Sequence, residues 1–289
     1  MKSVALQAVI ALALFGCLPV TIKAISADPD TIGIVRLAIA SAGLFLINWM
    51  RGELRRVSLP DLLRIAILGF FFFAHWLTFF VAIKASSASV GAIGLSTYGI
   101  DLLLLGAIFG GSRLRMIDVL AVAVAATGAI LVVPRFDIRN ETAFGMLLAC
   151  VSGLFYAALP ILHQRWSHIS TSMRALGQFS FALLFFLFFL PRTNWNLTSR
   201  DWAGLLFLAV GVTLIGHSLW VNVTTKLSPP VTSIIYYGNI PIALLLSVLI
   251  LHEPLTPRMI AGAALIIAGG LAGLASRARV GIPAPLPPE

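Results

Sequence analysis

Charge is the scarcest commodity in this sequence. Only 11% of its 289 residues are Asp, Glu, Lys or Arg, while 59% are hydrophobic and the mean hydropathy is +0.99. A soluble domain carries about 25% charged residues, so this chain lacks the polar surface to dissolve a compact body and reads as an integral membrane protein. Acids are the rarer sign, with 11 against 20 Lys and Arg. The cations are scattered between apolar runs without interleaved aromatics, which argues against a nucleic-acid partner. Only two cysteines occur, Cys17 and Cys150, both inside apolar segments. That excludes a disulfide framework and a thiolate metal site. Enzyme motifs are missing too. His252-Glu253 is followed by Pro254 with no second His four residues on, His163 and His168 are five apart, and no phosphate-cradling loop of the Walker type is present. No catalytic residue, metal or cofactor is therefore expected.

What the chain does have is length in apolar runs. A spanning helix needs roughly 20 mostly apolar residues. Ten such runs are found, near 4–25, 31–50, 61–84, 88–110, 117–134, 143–164, 172–190, 202–225, 231–251 and 259–275. The connectors, among them Ala27-Asp28-Pro29-Asp30, Gly110-Gly111-Ser112-Arg113 and Ser228-Pro229-Pro230, are too short for a soluble domain. Lys2, an apolar stretch and Ala24-Ile25-Ser26-Ala27 imitate a cleavable leader, but the run is longer than a leader core and recurs later in the chain. With the N-terminus inside, 12 Lys and Arg fall on the inner side and 8 on the outer, which favours both termini in the cytoplasm. The tail from residue 277, ending Pro283-Ala284-Pro285-Leu286-Pro287-Pro288-Glu289, reads as disordered.

The chain also repeats itself at an offset of about 141 residues. Phe15 through Pro19 aligns with Tyr156 through Pro160. Asp61 answers Asp201, and Gly69, His75 and Lys84 answer Gly211, His217 and Lys226. Val90, Leu114 and Gly128 match Val231, Leu255 and Gly269. The expected units are residues 1–135 and 142–276, each with five spans, followed by the tail 277–289. Five is odd, so the second unit must insert upside down relative to the first. Inverted repeats are a transporter architecture, with the solute site near the bilayer midplane.

One stretch carries a resemblance. Ser247 through Thr256 with Ile260 through Gly270 is an apolar helix, a Glu-Pro-Leu-Thr turn and a Gly-containing helix, preceded by Asn239-Ile240-Pro241. It resembles the end of an EamA domain, and nearly the whole chain is similar to two such units. The first unit departs in letters: Ile100 stands where Pro241 aligns, and Ser112 where Glu253 does. The resemblance implies the drug/metabolite transporter superfamily, an all-α membrane fold of ten helices, and alternating access.

Ionisable residues deep in a span are functional candidates. His75 and His217 lie mid-span at equivalent positions, and imidazole both donates and accepts. Around them fall Trp76, Phe79, Tyr98, Trp220, Tyr237 and Asn239 at comparable depth, completing the expected solute-binding set. The Phe70–Phe73 run reads as lipid-facing or core. Asp101 is the carboxylate best placed for coupling, and an Asp101–Arg36 pair that merely braces two helices is the plain alternative. Pro19, Pro160 and Pro241 are expected to interrupt their helices and serve as hinges.

The expected protein is a multi-pass inner-membrane exporter of a small organic metabolite such as an amino acid, aromatic ones included. Its partners are the solute, the lipid bilayer and, if flux is coupled, protons, and it works as a monomer or homodimer. A non-transporting assembly protein and an intramembrane enzyme are the rival classes.

Overall fold

A computed structural model describes residues 2–54, 57–109, 115–133, 137, 139–227 and 229–278. The first unit contains α1 (Lys2–Ala24), α2 (Pro29–Met50), α3 (Leu59–Ala85), α4 (Ala88–Leu95), α5 (Tyr98–Phe109) and α6 (Met116–Val132). The second contains α7 (Glu141–Arg165), α8 (Thr171–Leu187), α9 (Ser199–Leu206), a π-helical segment (Phe207–His217), α10 (Ser218–Lys226), α11 (Pro229–Tyr236), α12 (Asn239–Leu251) and α13 (Pro257–Ala278). Among the described residues there is no strand. Among the described residues eight helical stretches are long and apolar enough to cross a membrane, and α6 and α8 are shorter apolar helices. The protein is an all-helical, multi-pass membrane protein.

Polar residues set the helix starts. Asp28 caps α2 by accepting from the Thr31 amide at 2.8 Å, with Pro29 at the first helical position. Ser87 caps α4, Asn140 caps α7, and Thr198 with Asp201 forms a capping box on α9. The fourth and ninth apolar runs are each broken in two. One break falls at Ser96-Thr97 and the other at Tyr237-Gly238, and these positions are 141 residues apart. At the first break Ser96 Oγ donates to the Ile93 carbonyl, so a polar side chain satisfies a carbonyl that a continuing helix would have used.

The helix breaks correct one expectation. Pro19 and Pro160 sit inside unbroken helices, and Pro241 is the third residue of α12, past the break. An interior proline removes one hydrogen bond and displaces the carbonyl four residues back, but it need not end a helix that neighbours hold. The carbonyls so freed are those of Phe15 and Tyr156, which are equivalent residues.

The strongest packing is between the units: α13 on α6, α3 on α7 and α8, α1 on α12, α2 on α8, and α4 on α7. The contact of α3 with α7 and α8 is answered by that of the π segment with α1 and α2. Where α6 meets α13, a Cβ on Gly128 would lie 2.6 Å from the Gly262 carbonyl, and one on Gly269 2.7 Å from that of Ala121. Only glycine permits that approach. Large apolar side chains such as Leu6, Phe45, Leu62, Phe109 and Leu249 point outward, while Arg36, His75, Arg174, Gln178 and His217 are buried. Cys17 and Cys150 are both free. α13 runs to Ala278, two residues into the expected tail, and the tail from Arg279 lies outside the described residues. So do Gly110 through Leu114, including Ser112, as well as Arg55, Arg56, Pro134, Arg135, Phe136 and Ser228.

Candidate functional site

Where the units meet, α3, α7, α1, α10 and the two broken runs converge on a cluster of rings. Tyr156 of α7 is its hub. Its ring lies 4.4 Å from His75, 4.9 Å from Tyr98 and 5.2 Å from Tyr236. Phe15 of α1 lies 4.6 Å from His217, 5.9 Å from Trp220 and 6.2 Å from Tyr236. Phe72 and Trp76 close the ring, 5.2 and 5.5 Å from His217. The cluster thus brings together His75, Trp76, Tyr98, His217 and Trp220, all singled out from the sequence. Phe15, Phe72, Tyr156 and Tyr236 join them. Phe15 and Tyr156 are equivalent residues of the repeat, and that symmetry was the signal for them. Phe72 hid in a run of four phenylalanines, of which Phe70 is exposed and Phe72 is not.

The paired histidines are not chemically equivalent. His75 Nδ1 lies 2.7 Å from Ser152 Oγ and 3.2 Å from the Ser152 carbonyl, while Ser152 Oγ donates back to the His75 carbonyl at 2.9 Å. A carbonyl only accepts and the Ser proton is already committed, so Nδ1 carries the His75 proton. That lock fixes the ring against Tyr156. His217 has no such clamp, and its buried Nε2 meets no hydrogen-bond partner among the described residues.

His217 ends the π segment, and Thr213 lies one turn earlier. Thr213 Oγ1 donates to the Leu208 carbonyl five residues back at 2.8 Å and accepts from Arg36 Nε at 3.0 Å. π-helical turns occur often at functional sites. Here the turn presents Thr213 and His217 toward Arg36, whose guanidinium carbon lies 3.9 Å from the centre of the Trp76 ring. Arg36 is 0% exposed, and both its Nη atoms lack an acceptor among the described residues. The contrast is Arg174 on α8, also buried. Its nitrogens donate to the carbonyls of Ile169 and His163 and to the hydroxyls of Thr171 and Thr225. Arg174 is a brace whose donors are used, and Arg36 is not.

Other expected members fall elsewhere. Asp101 accepts from Thr97 Oγ1 at 3.0 Å, and no ion pair joins it to Arg36, which is taken up by Thr213 and Trp76. The alternative of an Asp101–Arg36 brace does not form, because the two side chains face different neighbours, Asp101 lying against Gly153 of α7. Tyr237 turns away from the ring cluster into the space left by Gly99 and Gly270, where a Cβ would collide with its hydroxyl. Its neighbour Tyr236 takes the place in the cluster. Asn239 is spent on the break, donating to the Tyr236 carbonyl. Phe79 stacks on the far side of His75 at 5.9 Å, within the core.

The two ends of the bundle differ. At the α1–α2 connector, Asp201 Oδ1 accepts from the Ser26 amide at 2.6 Å, and Lys23 Nζ donates to the carbonyls of Lys84 and Ser86 at 3.1 and 2.6 Å. Asp28 there also accepts from the Asn194 amide. Burial pushes the Asp28 carboxyl up, but the bonds from Thr31 and Asn194 outweigh it and hold the group below the usual range. The opposite end opens in a cleft of about 480 Å³ lined by Leu44, Asn48, Arg51, Ser172, Ser218 and Asn222. Its floor at Ser218 is one residue from His217. The space beside His217 itself is only about 10 Å³, room for about one water.

Two units with matching breaks and a shared polar core invite comparison with known proteins. The profile of the EamA-like transporter family matches residues 2–133 and again 143–272. The chain belongs to the EamA-like transporter family. No curated protein matches it. A solved crystal structure shares its fold with a TM-score of 0.69 at 18% identity, covering 94% of this chain and 97% of that one. The EamA family is a family of transporters, so a small-molecule solute and membrane lipid are the partners this membership brings. In this member, both EamA units contribute rings and one histidine each to the central cluster.

Proposed function

We propose that this EamA-family protein is a carrier that crosses the inner membrane ten times and exports a small organic metabolite by alternating access, an amino acid being the fitting class. The observation that carries the reading is the cluster itself. Equivalent residues of the two units, Phe15 with Tyr156 and His75 with His217, meet around one polar centre at the unit interface. Symmetry supports ten crossings. The short helices α6 and α8 are the counterparts of α13 and α2, both long enough to span, and 17 residues is the lower limit for a crossing. Five crossings per unit would invert the units and put both termini on one side, and the Lys and Arg distribution favours the cytoplasm for them. The tied α1–α2 end then faces outward and the 480 Å³ cleft inward. Solute flux into proteoliposomes loaded with a metabolite panel tests the function. Failure to move any amino acid or related metabolite, with protein shown to be folded and inserted, would leave a scaffold or regulatory role. Cysteine labelling that places the C-terminus outside would defeat the inverted arrangement.

A further inference from the structure

Arg36 is a permanent cation, since guanidinium is not deprotonated in proteins. Holding it fully buried inside a membrane span is costly unless something compensates it. None of the acids within the described residues does so. Asp28 and Asp201 serve the α1–α2 end, Asp61 pairs with Arg64 and His168, Asp118 with Arg115, Asp101 binds Thr97, and Glu253 binds the start of α4. What Arg36 does have is geometry. Its Nε is anchored on Thr213 and its plane lies against Trp76, which fixes the fork and leaves Nη1 and Nη2 as paired donors. Other orphaned polar atoms lie nearby: Trp76 Nε1, on the ring that faces the guanidinium, and His217 Nε2, on a ring 5.5 Å from Trp76. Arg36 is also within electrostatic reach of both His75 and His217. On α2, Arg36, Ala40 and Leu44 form one buried stripe at helical spacing, and Leu44 lines the open cleft. That stripe leads from the cleft toward the guanidinium, although packed side chains fill it.

We propose that Arg36 is the anion-binding point of the transport site and takes the carboxylate of an organic solute by a bidentate contact from Nη1 and Nη2, with His217 as the adjacent polar partner and the rings of Phe72, Trp76 and Trp220 holding the apolar body. This inference rests on the reading of the cluster as the transport site. A planar fork matches a carboxylate with two parallel hydrogen bonds, which a point charge such as lysine cannot do. The rings beside it favour a solute with an apolar or aromatic body. The narrowness beside His217 means that the solute parts the rings as it enters from the cleft.

The test uses the full chain in lipid nanodiscs, with the ligand-dependent change in intrinsic tryptophan fluorescence, to which Trp76 and Trp220 contribute among six tryptophans, as the readout, and four aromatic probes: 3-phenylpropionate, its amide, phenethylamine and phenyl phosphate. The carboxylate is expected to quench with saturation at least tenfold more tightly than the amide or amine. Arg36→Gln should abolish that preference, and Arg36→Lys should keep charge attraction but lose most of the affinity. Wild-type protein that binds the amide or amine as tightly as the carboxylate, or an Arg36→Gln variant that keeps the preference, overturns the anion site while the transport reading stands. If Arg36→Gln does not fold, the wild-type ranking of the four probes and the Arg36→Lys variant decide. Phenyl phosphate binding more tightly than the carboxylate, through Arg36, overturns the carboxylate assignment. If none of the probes binds and no solute of the flux panel moves, the transport reading fails with it.

Discussion

The carboxylate of Glu253 in the second unit holds Ser89 of the first, accepting from its amide at 2.9 Å and its hydroxyl at 2.6 Å. The other oxygen accepts from the Ala88 amide at 2.8 Å. These are the free donors at the start of α4, the first half of a broken run, and an anion there also meets the positive end of the helix. The approach is set by His252, whose left-handed backbone (φ 54°) ends α12 and turns the chain back. The Glu-Pro turn that carried the family resemblance is thus a cap supplied across the unit interface. Glu253→Ala should destabilise the folded carrier by about 1–2 kcal/mol, and Glu253→Gln by less, since an amide oxygen still accepts. Thermal unfolding in detergent measures it, and an unchanged midpoint for Glu253→Ala would refute the cap.

Much of this fold was legible because the bilayer imposes a simple ruler. Apolar run lengths located the helices, and the 141-residue offset located the units. The breaks were misplaced at the prolines because an isolated sequence shows a missing amide but not whether neighbours hold the helix together. The first true break falls at Ser96 and Thr97, whose small polar side chains are ambiguous in any apolar run, and the second at Tyr237 and Gly238. The site was half legible. Mid-span His, Trp and Tyr announce themselves, whereas Thr213 reads as one more β-branched residue among aliphatics. Its role comes from a π turn, which rotates it toward Arg36 and leaves no local signature. Tyr236 and Tyr237 are adjacent letters, and only packing against Gly99 and Gly270 decides which enters the cluster.

The two histidines should separate on mutation. His75 is locked to Ser152 by reciprocal bonds, so His75→Ala removes a buried network and should lower stability by roughly 1–3 kcal/mol. Ser152→Ala should produce a similar loss. His217 has an unengaged Nε2 and no lock, so His217→Ala should unfold near the wild-type temperature yet lose at least tenfold in flux. Paired melting and proteoliposome assays read both. Equal effects from the two histidines would show that their environments do not differ as the hydrogen bonds indicate.

The α1–α2 end carries a pH signature. Asp28 is held below its unfolded value, about 3.9, by Thr31 and Asn194 despite burial. Its contribution is therefore complete above that value and disappears as pH falls through the lower, folded-state value. The group is half-exposed, so solvent screening keeps the effect small, below about 1 kcal/mol. Asp28→Asn should melt slightly below wild type by a constant margin from about pH 5 to 8. That margin should shrink under about pH 4. A margin that widens in acid would contradict the assignment.

Coupling turns on Asp101. Intramembrane charges serve as relays or as paired braces, and the brace with Arg36 does not form, since Arg36 is engaged by Thr213 and Trp76. Asp101 instead sits in the first turn of α5, just past the break, with Thr97 donating to it. If the two helical halves reorient at this break during transport, a proton bound at this carboxylate would be placed for exchange. If transport is proton-driven, Asp101→Asn should abolish accumulation driven by a pH gradient and leave solute counterflow intact, because exchange needs the solute site but no net proton movement. Thr97→Ala, which removes only the donor, should shift the pH dependence of flux without abolishing accumulation. The Arg36→Gln variant should behave differently from Asp101→Asn, losing counterflow as well, because the proposed solute site includes Arg36 and not Asp101. Wild-type flux that ignores an imposed gradient would make the protein a uniporter, and an Asp101→Asn carrier that still accumulates solute against a gradient would move the proton to another group.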